Sequence, residues 1–135
     1  MTVTIHVEGV AAPQGSKNVY RGRPVEASKR VKPWREQVRR AASEEGDRLA
    51  LLGPLSPPYK VEMWFYIKRP RTTLATHPVA PTIGDVDKLS RAVNDALTDS
   101  GLIIDDRYIT KLTVEKQWAG RGETPGAIIR ITELG

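Results

Sequence analysis

Six of the seven aspartates in this 135-residue chain lie between residues 84 and 106, although the chain carries a net charge of +5. Carboxylates held close together raise one another's pKa and weaken a fold, so such a cluster is either solvated or occupied by a cation. Mg²⁺ takes carboxylate oxygens, water and substrate phosphate as ligands. A Mg²⁺ ion bound in this way activates water and stabilises the leaving oxygen when a phosphodiester is cleaved.

The spacing of these aspartates allows two interpretations. Asp85 and Asp87 face the same side if the chain is extended there, because side chains alternate along an extended backbone. Asp105 and Asp106 end a short apolar run, where the chain can return beside the helix that begins near Asp87, so three carboxylates could converge on one ion. Alternatively the acids are structural, since aspartate is a preferred N-cap and suits the positive end of a helix dipole.

The basic residues are concentrated elsewhere in the chain. Between Lys17 and Arg40 lie nine lysines or arginines against two glutamates. Such a segment indicates a polyanionic partner, although plain solvated surfaces also carry basic runs.

The chain lacks cysteine, which excludes disulfides and zinc–thiolate sites. Neither a signal peptide nor a membrane-spanning run is recognisable, so we expect a cytoplasmic protein without a membrane partner.

Hydrophobic periodicity predicts the elements that position these residues. Alternating apolar residues indicate strands at TVTIHVEG, YKVEMWFYIKR, RYITKLTVEKQW and GAIIRITEL, and the second is apolar on both faces and therefore central. Helices are indicated from about Pro33, with Gly46 ending or kinking the first, and from Val86 to Gly101. Residues 12–31 form a long loop or a hairpin around RGRP. We predict one domain, residues 1–135, of the α+β class: a two-layer sandwich of a mixed β-sheet with two main helices packed on one face.

The segment GDVDKLSRAVNDALTDSGLIIDDRYITKLTVEKQW resembles the signature of the RusA family of Holliday junction resolvases. Members of that family look like Asp-x-Asp-Asn-Leu-x-Lys, a helix ending in Asp-Ala-Leu, a short apolar run, Asp-Asp, and a strand ending in Lys. VEGVAAPQGSKNVY and KPWREQVRRAA are similar to the family's opening strand, Pro-x-Gly loop and first helix. The resemblance spans most of the chain, and its specific part lies in residues 84–116.

The resemblance implies a homodimeric, Mg²⁺-dependent endonuclease, with Mn²⁺ as a substitute ion, from a bacterium or one of its phages. Its partner would be branched DNA in the form of a four-way junction, which it nicks on two opposed strands in recombination and repair. The family's essential carboxylates correspond to Asp85, Asp87 and Asp106, which are therefore the expected catalytic metal ligands. Asp105 is expected to be an accessory carboxylate.

Two positions depart from the family pattern. The family's basic active-site lysine corresponds to Arg91, and its usual asparagine corresponds to Lys88. Arg91 keeps the positive charge but is a poorer proton donor than lysine. A plain ion pair with Asp87, four residues earlier on the helix, is the alternative role for Arg91.

Basic residues around the acidic stretch would contact the DNA backbone, because phosphate contacts position a duplex without reading its sequence. The predicted contacts are Lys17, Arg21, Arg23, Lys29, Arg30, Arg35, Lys68, Arg69, Arg71 and Lys88.

Two alternative functions remain: an endonuclease acting on flaps or forks, and a non-catalytic DNA-binding module whose acids merely cap a helix. A preference for flaps or forks over four-way junctions would identify the first alternative. Binding of DNA that does not require Mg²⁺ would identify the second.

Overall fold

The computed structural model describes residues 1–15, 18–20, 23–25 and 29–135, and it describes side chains except within residues 16–28. A turn of 3₁₀ helix, Asp106–Tyr108, directly precedes the fifth strand. In chain order the elements are β1 (Thr2–Glu8), β2 (Asn18–Tyr20), β3 (Arg23–Val25), α1 (Val31–Arg48), β4 (Tyr59–Ile67), α2 (Val86–Asp99), β5 (Ile109–Trp118) and β6 (Gly126–Glu133).

Four of these strands form one mixed sheet in the spatial order β1, β6, β4, β5. β4 and β5 run parallel, and α2 belongs to the crossover between them, because a tight turn cannot join parallel neighbours. β6 is antiparallel to both β1 and β4. β4 therefore lies inside the sheet, as its two apolar faces predict, and β5 forms an edge.

The core lies between this sheet and the two helices. Met63 of β4 is paired with Ile129 of β6 on one side and with Val114 of β5 on the other, so their side chains share one face. Trp34 of α1 and Leu89 of α2 are buried in the same hydrophobic cluster as Met63 and Ile129. The predicted α+β class, with a mixed sheet and both helices packed on one face, is confirmed.

The first helix differs from its predicted boundaries. It begins two residues earlier than expected, at Val31, and runs through Gly46 to Arg48. The last turn is held by a hydrogen bond from Leu49 N to Glu45 O and by an ion pair between Glu45 and Arg48. A glycine inside a helix costs about 1 kcal/mol, which these contacts and the buried face outweigh. Among the described residues, no helix is long and apolar enough to cross a membrane.

The segment after β1 contains two short paired strands. β2 and β3 pair antiparallel, with Asn18 opposite Val25 and Tyr20 opposite Arg23. This pairing favours the hairpin over the loop, and residues 21–22, which would join the two strands, lie outside the described residues.

Candidate active site

α2 begins after a backbone conformation that favours glycine. Gly84 has a φ of +96°, and a Cβ added there would lie 2.6 Å from the ring of Pro13. Asp85 follows as the N-cap in an extended conformation, and Asp87 lies in the first helical turn. The premise that Asp85 and Asp87 share one extended segment is therefore wrong, because the helix starts between them.

The Asp85 carboxylate does not cap the helix. It makes no capping hydrogen bond to the amides of α2, and its side chain is 73% exposed. The Nζ of Lys88 lies 3.9 Å from its Oδ2. An ion pair this exposed contributes at most about 1 kcal/mol. Side-chain capping therefore does not account for Asp85, although an acid at this end still suits the helix dipole.

Asp87 and Arg91 are both exposed and stand one turn apart on α2. Within the described part of the chain, no acidic oxygen lies within ion-pair distance of Arg91. The plain ion pair between Arg91 and Asp87 is therefore not formed. Arg91 faces solvent one turn after Asp87, so its guanidinium group is accessible to an anion.

Asp105 and Asp106 follow α2 at a point where the buried Leu102 and Ile103 anchor the chain to the core. Asp105 accepts a 2.9 Å hydrogen bond from the backbone N–H of Arg107, which lowers the pKa of its carboxyl group. The pKa of Asp106 is raised, first by desolvation of its carboxylate and then by the hydrogen bond and charge of Asp105. The Asp106 residue as a whole remains exposed.

Asp95 belongs with this pair, although its place in the sequence suggests only a solvated helix residue. Its charge also raises the pKa of Asp106, and its Oδ2 accepts a hydrogen bond from Nε2 of Gln14. The Oε1 of Gln14 is buried and has no partner among the described residues. The signal that could have identified Asp95 is helical spacing, because Asp87, Arg91 and Asp95 recur every four residues along one side of α2.

The candidate ligands are divided between two places. No three His, Cys, Asp or Glu side chains in the described residues are grouped so that they could hold a metal ion. Asp87 and Asp95 are eight residues apart on α2, which corresponds to about 12 Å along the helix axis. Asp85 and Asp87 thus lie at the start of the helix, whereas Asp95 lies two turns further on with Asp105 and Asp106. The donors are hard carboxylate oxygens of the kind that Mg²⁺ binds.

A cavity of about 490 Å³ opens beside Asp85. Its basic lining residues are Lys29 and Arg30, just before α1, and Lys88 on α2. Nη2 of Arg30 donates to Thr82 O at 2.9 Å, which ties the two segments together. Three of the predicted DNA contacts thus surround one cavity next to a predicted metal ligand.

The other predicted DNA contacts lie elsewhere. Arg35 is in an exposed ion pair with Asp99 at 3.5 Å. The loop after β4 exposes a second group, namely Lys68, Arg69 and Arg71. A third group lies outside the described side chains, namely Lys17, Arg21 and Arg23.

Lys116 is a contact residue that sequence reasoning did not single out. Its Nζ donates to Gly84 O at 2.9 Å from its position on β5. The strand was expected to end in lysine, but no local pattern shows what such a lysine contacts. The bond holds the backbone before Asp85 against the sheet and places a positive charge near the acidic residues.

Comparison with protein families finds a match along nearly the whole chain. The sequence model described as Endodeoxyribonuclease RusA matches residues 8–132. No curated protein matches the chain significantly. The matched range includes all the aspartates described above.

Proposed function

The chain belongs to the RusA family of endodeoxyribonucleases, and on that premise we propose that it resolves four-way DNA junctions by a metal-dependent pair of nicks. The observation that best supports the proposal is the Asp85 carboxylate, which is exposed and not used as a helix cap. A module whose acids only capped a helix would direct this carboxylate to the amides of α2. The cavity beside Asp85, lined by three cations, is suited to a phosphate group.

The metal ligands in this proposal are Asp85, Asp87 and Asp106, with Asp105 as an accessory carboxylate and Mn²⁺ as a substitute for Mg²⁺. A bound ion supplies activation of water and stabilisation of the leaving oxygen. The carboxylates suit the ion because they are mostly exposed and offer the hard oxygen ligands that Mg²⁺ binds. They also repel a DNA phosphate, so other residues must offset their charge.

The basic residues around the cavity provide that offset. Lys29, Arg30 and Lys88 would hold the phosphate backbone beside Asp85. A guanidinium group is a poor proton donor, so Arg91 would stabilise negative charge rather than transfer a proton. The remaining predicted DNA contacts would extend the electrostatic attraction along the substrate.

We also propose that the active protein is a homodimer, because one chain divides its candidate ligands between two places. Val86, Ile104 and Leu112 are 38%, 47% and 42% exposed, and the first two adjoin the aspartates in sequence. Burying them against a second copy would remove apolar surface from water. In a two-fold dimer the start of α2 could meet the Asp105–Asp106 pair of the partner, and two such sites would suit two opposed strands.

Cleavage of a labelled synthetic four-way junction in Mg²⁺ tests this function. We expect paired nicks in the junction, no cleavage of a linear duplex of the same sequence, and complete inhibition by EDTA. Asp87→Asn should bind the junction without cutting it, because a proposed ligand is lost. Asp99→Asn is the matched control, since Asp99 is an exposed aspartate of the same helix that pairs with Arg35.

Two results would replace the proposal with its alternatives. Faster cleavage of flaps or forks than of the junction would show an endonuclease for other branched DNA. Equal binding by wild type and Asp87→Asn without cleavage by either would show a non-catalytic DNA-binding module.

A further inference from the structure

A second and larger cleft lies at the end of the sheet where β4 and β5 finish. One wall is the loop that follows β4, beginning at Lys68. The other wall is the connection between β5 and β6, residues 119–125. Together they enclose about 1100 Å³, which exceeds the usual size of a small-molecule pocket.

Hydrogen bonds hold both walls of this cleft in place. Ala119 N donates to Ile67 O at 2.8 Å, which continues the pairing of β4 with β5 beyond the strands. Nε1 of Trp118 donates to Ala75 O at 3.0 Å and fastens the first wall to β5. The second wall is closed by a turn in which Glu123 N donates to Gly120 O at 2.9 Å. Both walls are therefore held by the protein's own hydrogen bonds.

The lining of the cleft is strongly basic. Its cations are Lys68, Arg69 and Arg71 on the first wall and Arg121 on the second. All four are exposed, and among the described residues none of them forms an ion pair. The acid in the lining is Glu123, whose carboxylate already accepts a hydrogen bond from Gly120 N at 3.2 Å. Within the described part of the chain, none of these four charges is therefore neutralised by an ion pair, and each can meet an anion that enters the cleft.

The position of the cleft connects it with the start of α2. Lys116, two residues before Trp118, donates to Gly84 O next to Asp85. Asp106 precedes β5 and the cleft follows it, so the ten residues of β5, about 33 Å at 3.3 Å per residue, separate them. Lys116 lies next to both Gly84 and the end of β5, so a DNA arm that passes Asp85 could also contact the cleft.

We infer that this cleft holds the sugar–phosphate backbone of a DNA arm flanking the cleavage site, with Arg69 and Arg121 contacting it from opposite walls. The inference rests on the proposed function, because it takes DNA as the substrate. Three of the four cations are arginines, whose planar guanidinium groups bind phosphate oxygens in pairs. Positive charges spread over two walls suit a polymer of phosphates better than one small anion.

Binding of a labelled four-way junction by Arg69→Ala/Arg121→Ala tests the inference, with EDTA present so that no cleavage occurs. At low salt we expect affinity to fall roughly tenfold or more. The slope of log affinity against log salt should become shallower by about 2, since each lost phosphate contact removes about 0.9. A linear duplex should be affected similarly, because backbone contacts do not read the branch.

The matched control is Arg40→Ala/Arg48→Ala, which removes the same charge from exposed positions on α1 that pair with Glu36 and Glu45. It should retain more of the binding than the cleft variant. If both variants lose the same amount of junction affinity, the loss reflects the reduced net charge alone, and the inference is overturned. Unchanged affinity and slope in the cleft variant would also overturn it, and would leave the cleft to another ligand.

Separate readouts distinguish failure of this inference from failure of the proposed function. Wild-type cleavage of the junction in Mg²⁺ tests the proposed function alone. If wild type cuts the junction and the cleft variant binds it normally, the inference fails and the function stands. If wild type binds DNA without cutting and the cleft variant loses binding, the function fails and the backbone contact stands. Thermal unfolding of both variants checks that each remains folded.

Discussion

Asp105 and Asp106 are neighbours in the chain, yet their carboxyl groups meet different surroundings. The N–H of Arg107 stabilises the charged form of Asp105, so its pKa falls. Desolvation and the negative charges of Asp105 and Asp95 favour the protonated form of Asp106, so its pKa rises. A bound cation would reverse that preference. The surroundings of Asp106 therefore suit a carboxylate that binds a cation, because they do not favour its charged form in the fold alone.

Replacing Asp106 with asparagine should stabilise the fold at neutral pH. An aspartate whose pKa is raised in the folded state costs stability at every pH above that raised value. The cost fades as the pH falls below the raised value and is gone below the unfolded value of about 3.9, where the group is protonated in both states. Urea titrations without divalent cations should show a gain at pH 7 that shrinks toward zero at pH 3. A variant less stable than wild type at pH 7 would contradict this account.

At the scale of elements, the start of α2 is held from three directions. Pro13 packs against Gly84, and Lys116 donates to Gly84 O at 2.9 Å from β5. The backbone N–H of Gln14 adds a 3.0 Å hydrogen bond to a carbonyl in the first turn of the helix. These contacts orient Asp85 without using its carboxylate, which remains available for a ligand.

Gly84→Ala should disturb this junction between loop and helix. The new Cβ would overlap the Pro13 ring at a positive φ, so we expect a loss of about 1–3 kcal/mol in the free energy of unfolding. Junction cleavage should fall further than junction binding, because Asp85 would move. Gly53→Ala is the matched control, since a Cβ at Gly53 meets no atom within 4 Å. Equal stability and activity of the two variants would refute the role given to Gly84.

At the scale of the whole molecule, the division of the aspartates is the feature that makes a second copy relevant. α2 carries Asp85 and Asp87 at its start, and the chain reaches Asp106 only after the helix has ended. A dimer that joins the start of one α2 to the Asp106 region of its partner would form two equivalent sites. Sites shared in this way can be recognised by complementation between inactive variants.

Co-expression of Asp87→Asn and Asp106→Asn with different tags, followed by purification through both tags, tests such sharing. If each site draws on two chains, the mixed dimer has one site with both substitutions and one intact site. It should then nick one strand of the junction, whereas each variant alone is inactive. Asp85→Asn with Asp87→Asn is the control pair, because both positions lie at the same end of α2 and should not complement. An inactive Asp87/Asp106 pair would place each complete site within one chain.

Local sequence patterns were sufficient to predict the sheet, both helices and the acidic stretch. Alternation of apolar residues is a local property, so β4 could be recognised as a central strand from its own ten or so residues. The family resemblance likewise rested on one contiguous motif. Helix boundaries were less predictable. Gly46 lowers helix propensity locally, but its neighbours' contacts carry α1 past it.

Tertiary structure alone decided which distant residues meet. Asp95 lies near Asp106, and Lys116 contacts Gly84. Arg121 lies opposite the loop that begins at Lys68. These contacts arise because β4 and β5 are parallel, so the crossover that contains α2 returns across the sheet. Such contacts join residues separated by long stretches of chain, and no periodicity within either stretch encodes them. The sequence therefore determines which groups can do chemistry, whereas the path of the backbone determines which of them act together.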